Sequence, residues 1–547
     1  MKPLVLSLAT GLLMAPMPAD AYVALMAGQR ARPLQGNFNN VPVLHSNQPE
    51  EVQGPGILVD TQPGSAIAAE TNQPLANATY TFNGEFGLHV HHKYFPEDRS
   101  QLRGGGGRRG ELTLATILIN PGSKAVHIRF KNGAVRNSFE APYLANNLMG
   151  VKPLGPRPWN TGPGDATAVQ MLRGQLDRRL DDEITIPPHS RIVLFSTALP
   201  ALGIANGLLR GRSDGPFQMA VVAAKNPQSD ADVLAVLDSG RLAPGRIYLS
   251  RVQQIENGTV FSRVAGVALG DVYTASVSHD LSQGALHVPL TSTNRHHFGT
   301  NEVQVNQLAS RMVDSSLDNV GTYGVRFDVQ LNLQGSGPHQ LVMSHPTPNG
   351  KTFTAFRGSI AIQSDEGYQE VHVGLRSGES LPIASLNLKP NQNNSVKVSL
   401  VYPADATPGH LLSVVPDSQM AQLRQREQLL IAAQAAAKPR PIPAVPPVQQ
   451  EAQVEPTVPA KPSVAAMPTG PAITVTQPKP APRPKPKPAA PAVVSAPGWL
   501  QPLPPVPALP GLTPAVITPL RMSQSLMERY QQAVQAQQQL MNSLMGR

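Results

Sequence analysis

The sequence predicts a mainly β protein: antiparallel sandwich- or barrel-like domains, then a helix, a disordered proline-rich run and a terminal helix. Three observations carry this. Between about residues 32 and 415, short runs alternate apolar and polar residues between Gly, Pro and Asn turns, a period of two that puts one strand face in a core. Helical periodicity is sparse in that span. Beyond Pro416 the composition changes, and residues 439–519 hold 25 of the chain's 56 prolines.

The chain opens with the three parts of a secretory signal, which assigns residues 1–21 to a cleavable peptide. Lys2 supplies the positive start, residues 3–15 an apolar stretch too short to span a bilayer, and Ala19-Asp20-Ala21 an A-x-A site that leaves Tyr22 as the new end. Export makes the absence of cysteine informative. With disulfides, thiol catalysis and thiolate metal sites all excluded, the fold must stand on packing.

Residues 22–250 are expected to form a first β-rich domain and residues 251–415 a second, with a soft boundary at Pro244-Gly245. Clear strands are Glu111–Leu118, Lys124–Phe130, Tyr323–Leu333 and Ser395–Leu400. Ala231–Leu237 is the best short helix. Gly104–Gly107, flanked by Arg103, Arg108 and Arg109, reads as a flexible hairpin tip.

Asp417 or Ser418 can cap a helix over 417–437. Proline at the density that follows, from 438 to 521, favours extended polyproline geometry, about 3.1 Å per residue, and so a long spacer. In residues 522–547 Leu526, Tyr530, Leu540 and Leu544 fall on one stripe of an amphipathic helix. Such a stripe calls for a partner, whether a second copy of the chain, its own globular part, or a foreign helix or groove.

The formal charge is +9, but residues 438–521 alone contribute +6. The basicity therefore belongs to the tail. For an exported chain it points to anionic envelope polymers rather than nucleic acid, with Lys479, Arg483, Lys485 and Lys487 as the contacts.

Several blocks together resemble a known family. They are Arg32–Asn47, Gly84–His92, Leu118–Gly122, Asn206–Ser213, Ser262–Val267, Gly321–Val325 and Tyr402–Pro408. Over roughly residues 30–415 they are similar to exported cyanobacterial proteins grouped as domain-of-unknown-function family 3370. The resemblance implies a cyanobacterium-like source and an exported β-rich protein. It implies no activity and no catalytic residues.

Candidate chemistry is thin. On a strand, His89 and His91 face one way and His92 the other, so His89 and His91 could chelate a metal given a third ligand from His45 or His296-His297. The alternative is a pair of hydrogen-bonded strand histidines. Gly211-Arg-Ser-Asp-Gly215 fits the nucleophile-elbow expression, but the residues after it read as a strand where that motif needs a helix. Asp181-Asp182-Glu183 and Asp314…Asp318-Asn319 lack the calcium-loop pattern and read as solvated loops.

The sequence therefore predicts a non-enzymatic, cofactor-free, secreted envelope protein without a transmembrane span, located in the periplasm, at the outer-membrane surface or outside the cell. The thylakoid lumen is the further address. Its partners would be an envelope protein, an anionic polymer or itself. The competing expectation is a metal- or serine-dependent hydrolase of envelope polysaccharide or cell-wall material. A carbohydrate-binding module is the weaker binding reading, with aromatic residues at 5% and only Trp159 and Trp499 as indoles.

Overall fold

A computed structural model of the chain describes residues 25–26, 29–47, 52–96, 111–143, 149–155, 161–258, 263–347, 352–404 and 406–437. The expected signal peptide, the Gly104–Gly107 tip, the proline-rich run and the terminal stripe all lie outside the described residues.

The described chain is mainly β, as the alternation predicts, with 25 strands. They form a seven-stranded sheet, an eight-stranded sheet, two four-stranded sheets and a small two-stranded one. Pairing is antiparallel nearly throughout. Two central pairings are parallel instead, Pro42–Asn47 with Glu85–Lys93 and Val272–Asp280 with Arg326–Gln334. Parallel neighbours need long crossovers, so sequence-distant segments must close each sheet.

Arg326–Gln334 follows the expected alternation. Phe327, Val329, Leu331 and Leu333 are fully buried, while Arg326, Asp328, Gln330 and Asn332 point the other way. Gly56–Asp60 and Gln218–Lys225 show no alternation, because both strands are buried almost along their whole length. They lie in a four-stranded sheet that carries the Asp230–Asp238 helix. A strand covered on both faces reads as a continuous apolar run.

There are two large cores. One gathers residues from Leu44 to Met312, among them Phe82, Phe86, Phe130 and Phe217. The other gathers Leu34 with residues from Tyr273 to Val414. Strands on the two sides of residue 250 share sheets. Gly36–Phe38 and Gly150–Pro153 form the two edges of the seven-stranded sheet, and Val264–Leu269 with Asn306–Arg311 extends the eight-stranded one. The cores thus interlock through exchanged strands, and the sequence between them is not a simple linker.

A helix absent from the sequence expectation, Pro163–Leu172, joins the two cores. Ala168, Met171 and Leu172 meet Leu208 on one side and Ala361 and Val401 on the other. Its start carries proline at the first turn, where the missing N–H costs nothing. Gly162 precedes it at φ 98°, and a Cβ there would fall 2.1 Å from the Tyr143 ring, so the entry turn demands glycine. The expected helix at 417–437 is present as Asp417–Ala437. Among the described residues no helix is long and apolar enough to cross a membrane.

Candidate functional site

The polar chemistry of the body concentrates in a buried seam around the Pro163–Leu172 helix. Asp165, 1% exposed, sits in its first turn. Ser359 Oγ donates to Asp165 Oδ1 at 2.9 Å, and His372 Nδ1 lies 3.0 Å from Oδ2. Ser359 and His372 are brought there together because they are directly opposed on neighbouring antiparallel strands.

Two residues on, Thr167 Oγ1 donates to the Gly164 carbonyl and accepts from Asn206 Nδ2 at 2.5 Å. The other end of the Asn206 amide, Oδ1, lies 2.8 Å from His91 Nδ1. An amide oxygen only accepts, so this orientation places the His91 proton on Nδ1. Replacing Asn206 by alanine would strip a partner from both Thr167 and His91 inside the core. The expected cost is about 1–3 kcal/mol, read as a lower denaturant midpoint with unchanged slope.

His89 does point to the same face as His91, but it pairs with His45, whose Nδ1 is 3.3 Å from its own. One nitrogen must donate and the other accept, so neutral rings suit the pair. Burial pulls His45 down to about 3, and burial followed by the neighbouring His45 holds His89 well below the usual imidazole range. On the opposite face His92 Nε2 meets Ser46 Oγ at 2.8 Å. His92 is also held low, by burial and then by Arg263.

The structure therefore supplies one of the third ligands proposed for His89 and His91, His45, but uses it as a hydrogen-bond partner. The other, His296, is placed in a different cluster with His345 and His410, whose ring centroids are 4.8 Å apart. Among the described residues no group of three His, Cys, Asp or Glu is arranged to hold a metal ion.

The remaining candidates resolve into structure. Ser213 ends the Ile204–Ser213 strand, and its Oγ accepts from the Gly84 N–H at 3.1 Å. The strand Gln218–Lys225 follows it, not the helix an elbow requires. Glu183 pairs with Arg129 on the surface.

Asp314 corrects the solvated-loop expectation. It is 0% exposed and clamped by Arg246 and Arg263, each 1% exposed, at 2.9 and 3.1 Å. Burial alone would raise its carboxyl, but Arg263 and Arg246 hold it below the usual range. Burial and then the facing Arg263 bring Arg246 down to about 10. The positions a cation would need are already taken by guanidinium groups.

Asp165 lies between Ser359 and His372. In nucleophilic hydrolysis the imidazole must stand between carboxylate and hydroxyl, where it can take the hydroxyl proton. Here Ser359 gives its hydrogen bond to the carboxylate, which suits bracing of the seam. Sequence reading missed Asp165, Thr167, Asn206, Ser359 and His372. The available signals were isolated polar residues inside apolar strand runs, as in Ile204-Ala-Asn-Gly-Leu-Leu209 and Val371-His-Val373, and the Gly162-Pro163 helix start.

Comparison with known proteins adds a family but no activity. No curated protein matches the chain. Among solved structures, one described as native PhpD with cadmium atoms aligns over 73% of this chain and 85% of its own, at 9% identity and a TM-score of 0.09. A likeness that weak carries no argument. The family model for a protein of unknown function, DUF3370, matches residues 29–416, which spans both cores and the seam between them. The chain belongs to the DUF3370 family.

Proposed function

We propose that this chain is a non-enzymatic exported envelope protein, from a cyanobacterium-like source, whose braced β body binds one element of the envelope while its tail reaches a second. The observation that carries the reading is how the Asp417–Ala437 helix leaves the body. Its first turns are anchored on the body. Met420 is buried with Leu25, Val342 and Val415, and Gln419 Nε2 donates to the Leu25 carbonyl at 2.9 Å. Leu429 and Leu430, further along, are 65% and 47% exposed.

A helix held to the body at its start and exposed further along suits a chain that continues into a proline-rich spacer. Two modest contacts joined by such a spacer hold better than either alone, because the second becomes intramolecular. On this reading Lys479, Arg483, Lys485 and Lys487 meet an anionic polymer, and the Leu526, Tyr530, Leu540 and Leu544 stripe takes a partner helix or a second copy. Binding is favoured over hydrolysis because the titratable groups of the seam are spent on one another in the interior.

The test is a tagged chain ending at residue 437, compared with the full chain by cell fractionation and cross-linking mass spectrometry. The body should melt at an unchanged temperature while envelope retention and the cross-linked partners are lost. Unchanged address and partners would overturn the tail's role.

A further inference from the structure

One face of the seven-stranded sheet is polar across five strands. In register, Tyr368 stands opposite Gln363, Gln363 opposite Lys397, Lys397 opposite Gln330, and Gln330 beside Ser276. Opposed residues share a face, and neighbouring strands repeat at about 4.8 Å, so these five side chains form one row roughly 19 Å long. Tyr368, Gln363, Lys397 and Ser276 are exposed and Gln330 is half-buried. A second row, Ser395, Asn332 and Ser278, runs alongside.

The same face, two residues beyond Gln363 and four beyond Lys397, carries Ala361 and Val401, which the Pro163–Leu172 helix covers. Arg173, just past the helix, pairs with Glu370 at 2.6 Å. The helix end is therefore a wall and the polar row a shelf beneath it. The shelf is pre-ordered: Gln330 donates to Ser395 Oγ at 2.9 Å, Asn332 to Ser276 Oγ at 3.2 Å, and Tyr368 to Glu370 at 2.7 Å.

We propose that this shelf binds a neutral glycan chain lying across the strands, with the Tyr368 ring taking the C–H face of one sugar. The inference rests on the binding reading above and names the body's ligand. Three features select this occupant. Apart from Lys397, the rows are amides and hydroxyls at a spacing close to one pyranose, and each of these can both give and take a hydrogen bond with a sugar hydroxyl. The charges on the shelf are internally paired, Arg326 with Asp328 at 2.9 Å, Lys397 with the same Asp328 at 4.0 Å and Arg173 with Glu370, so an anionic polymer would have to break these pairs. An apolar partner finds one large exposed hydrophobic here, Tyr368 at 59%, whose electron-rich face suits polarised C–H groups. The low aromatic content of the chain is no obstacle when one ring is flanked by a row of amides.

The test is affinity electrophoresis of the full chain through gels holding a neutral β-glucan, a neutral galactomannan, or polygalacturonate. At least one neutral polymer should retard the protein. Tyr368→Ala, and separately Gln363→Ala, should weaken that retention about tenfold, the scale of losing one central contact, while Tyr368→Phe retains most of it. Both positions are exposed, and an unchanged melting temperature will show that the variants are folded. Absence of retention by both neutral polymers, retention by polygalacturonate alone, or equal retention of the variants would overturn the proposal. Envelope retention of the full chain is followed in parallel. A chain that stays in the envelope yet ignores the glycans fails this proposal only, whereas one found outside the envelope fails the reading beneath it.

Discussion

Lowering the pH from 7.5 to 5 is expected to cost the folded body several kcal/mol, through histidines buried in neutral form. The sign follows from proton binding. In the unfolded chain each imidazole takes a proton near pH 6.5, whereas in the folded chain burial holds His45 down to about 3 and His287 to about 4. Between those values the unfolded state carries more protons, so stability falls as the pH falls.

At pH 5 the penalty is about 2 kcal/mol for each of these two groups, and His89, His92 and His410 add to it in the same direction. Asp60 and Asp318, raised by burial, oppose the trend, but they act mainly toward the carboxylate range at lower pH. Thermal melts followed by circular dichroism at pH 7.5, 6 and 5 will read the slope. His287→Gln, which keeps a hydrogen-bonding partner for Ser413 Oγ 2.8 Å away, should flatten it. A melting temperature that does not move between pH 7.5 and 5 refutes the account.

Much of the fold was legible because it depends on local alternation. Phe327, Val329, Leu331 and Leu333 declare a strand with one buried face in any context, and the Asp417–Ala437 helix announces itself by the acidic Asp417 in its first turn and its run of Ala, Gln and Leu. The seam was not legible. His91, Asn206 and Thr167 lie 115 and 39 positions apart along the chain, and their meeting depends on which strands pair. Asp165 in a Gly-Pro-Gly-Asp segment looks like a turn residue, and only the helix it begins carries it into the core. The face shared by His89 and His91 could be read from parity alone. Their separate partners could not, because those are set by register with Pro42–Asn47 and Ile204–Ser213.

Asp314 is where sequence and structure diverge most, and its replacement should have the largest single effect. Asp314→Ala leaves two guanidinium groups, both 1% exposed, facing each other without the carboxylate that holds them. Removing one partner of a buried ion pair costs about 3–5 kcal/mol, because the remaining charge stays desolvated and unpaired. Here the remainder is two like charges. Arg246 is further committed to the Leu58 carbonyl at 2.8 Å, and the N–H groups of Gly245 and Arg246 both donate to Glu70. Arg246 therefore cannot swing to solvent without opening the edge where Gly56–Asp60 meets residues 242–243. The damage should spread from that edge into the first core, lowering the denaturant midpoint and speeding amide exchange in Gly56–Asp60 and Val264–Leu269. Asp314→Asn keeps the shape but not the charge, and should fall between wild type and alanine. Replacing all three residues with apolar ones of similar volume should recover much of the loss, since a well-packed apolar substitute avoids burying charge at all. If Asp314→Ala costs less than about 1 kcal/mol, the surface-pair range, the arginines have found water and the buried clamp is not what braces this edge.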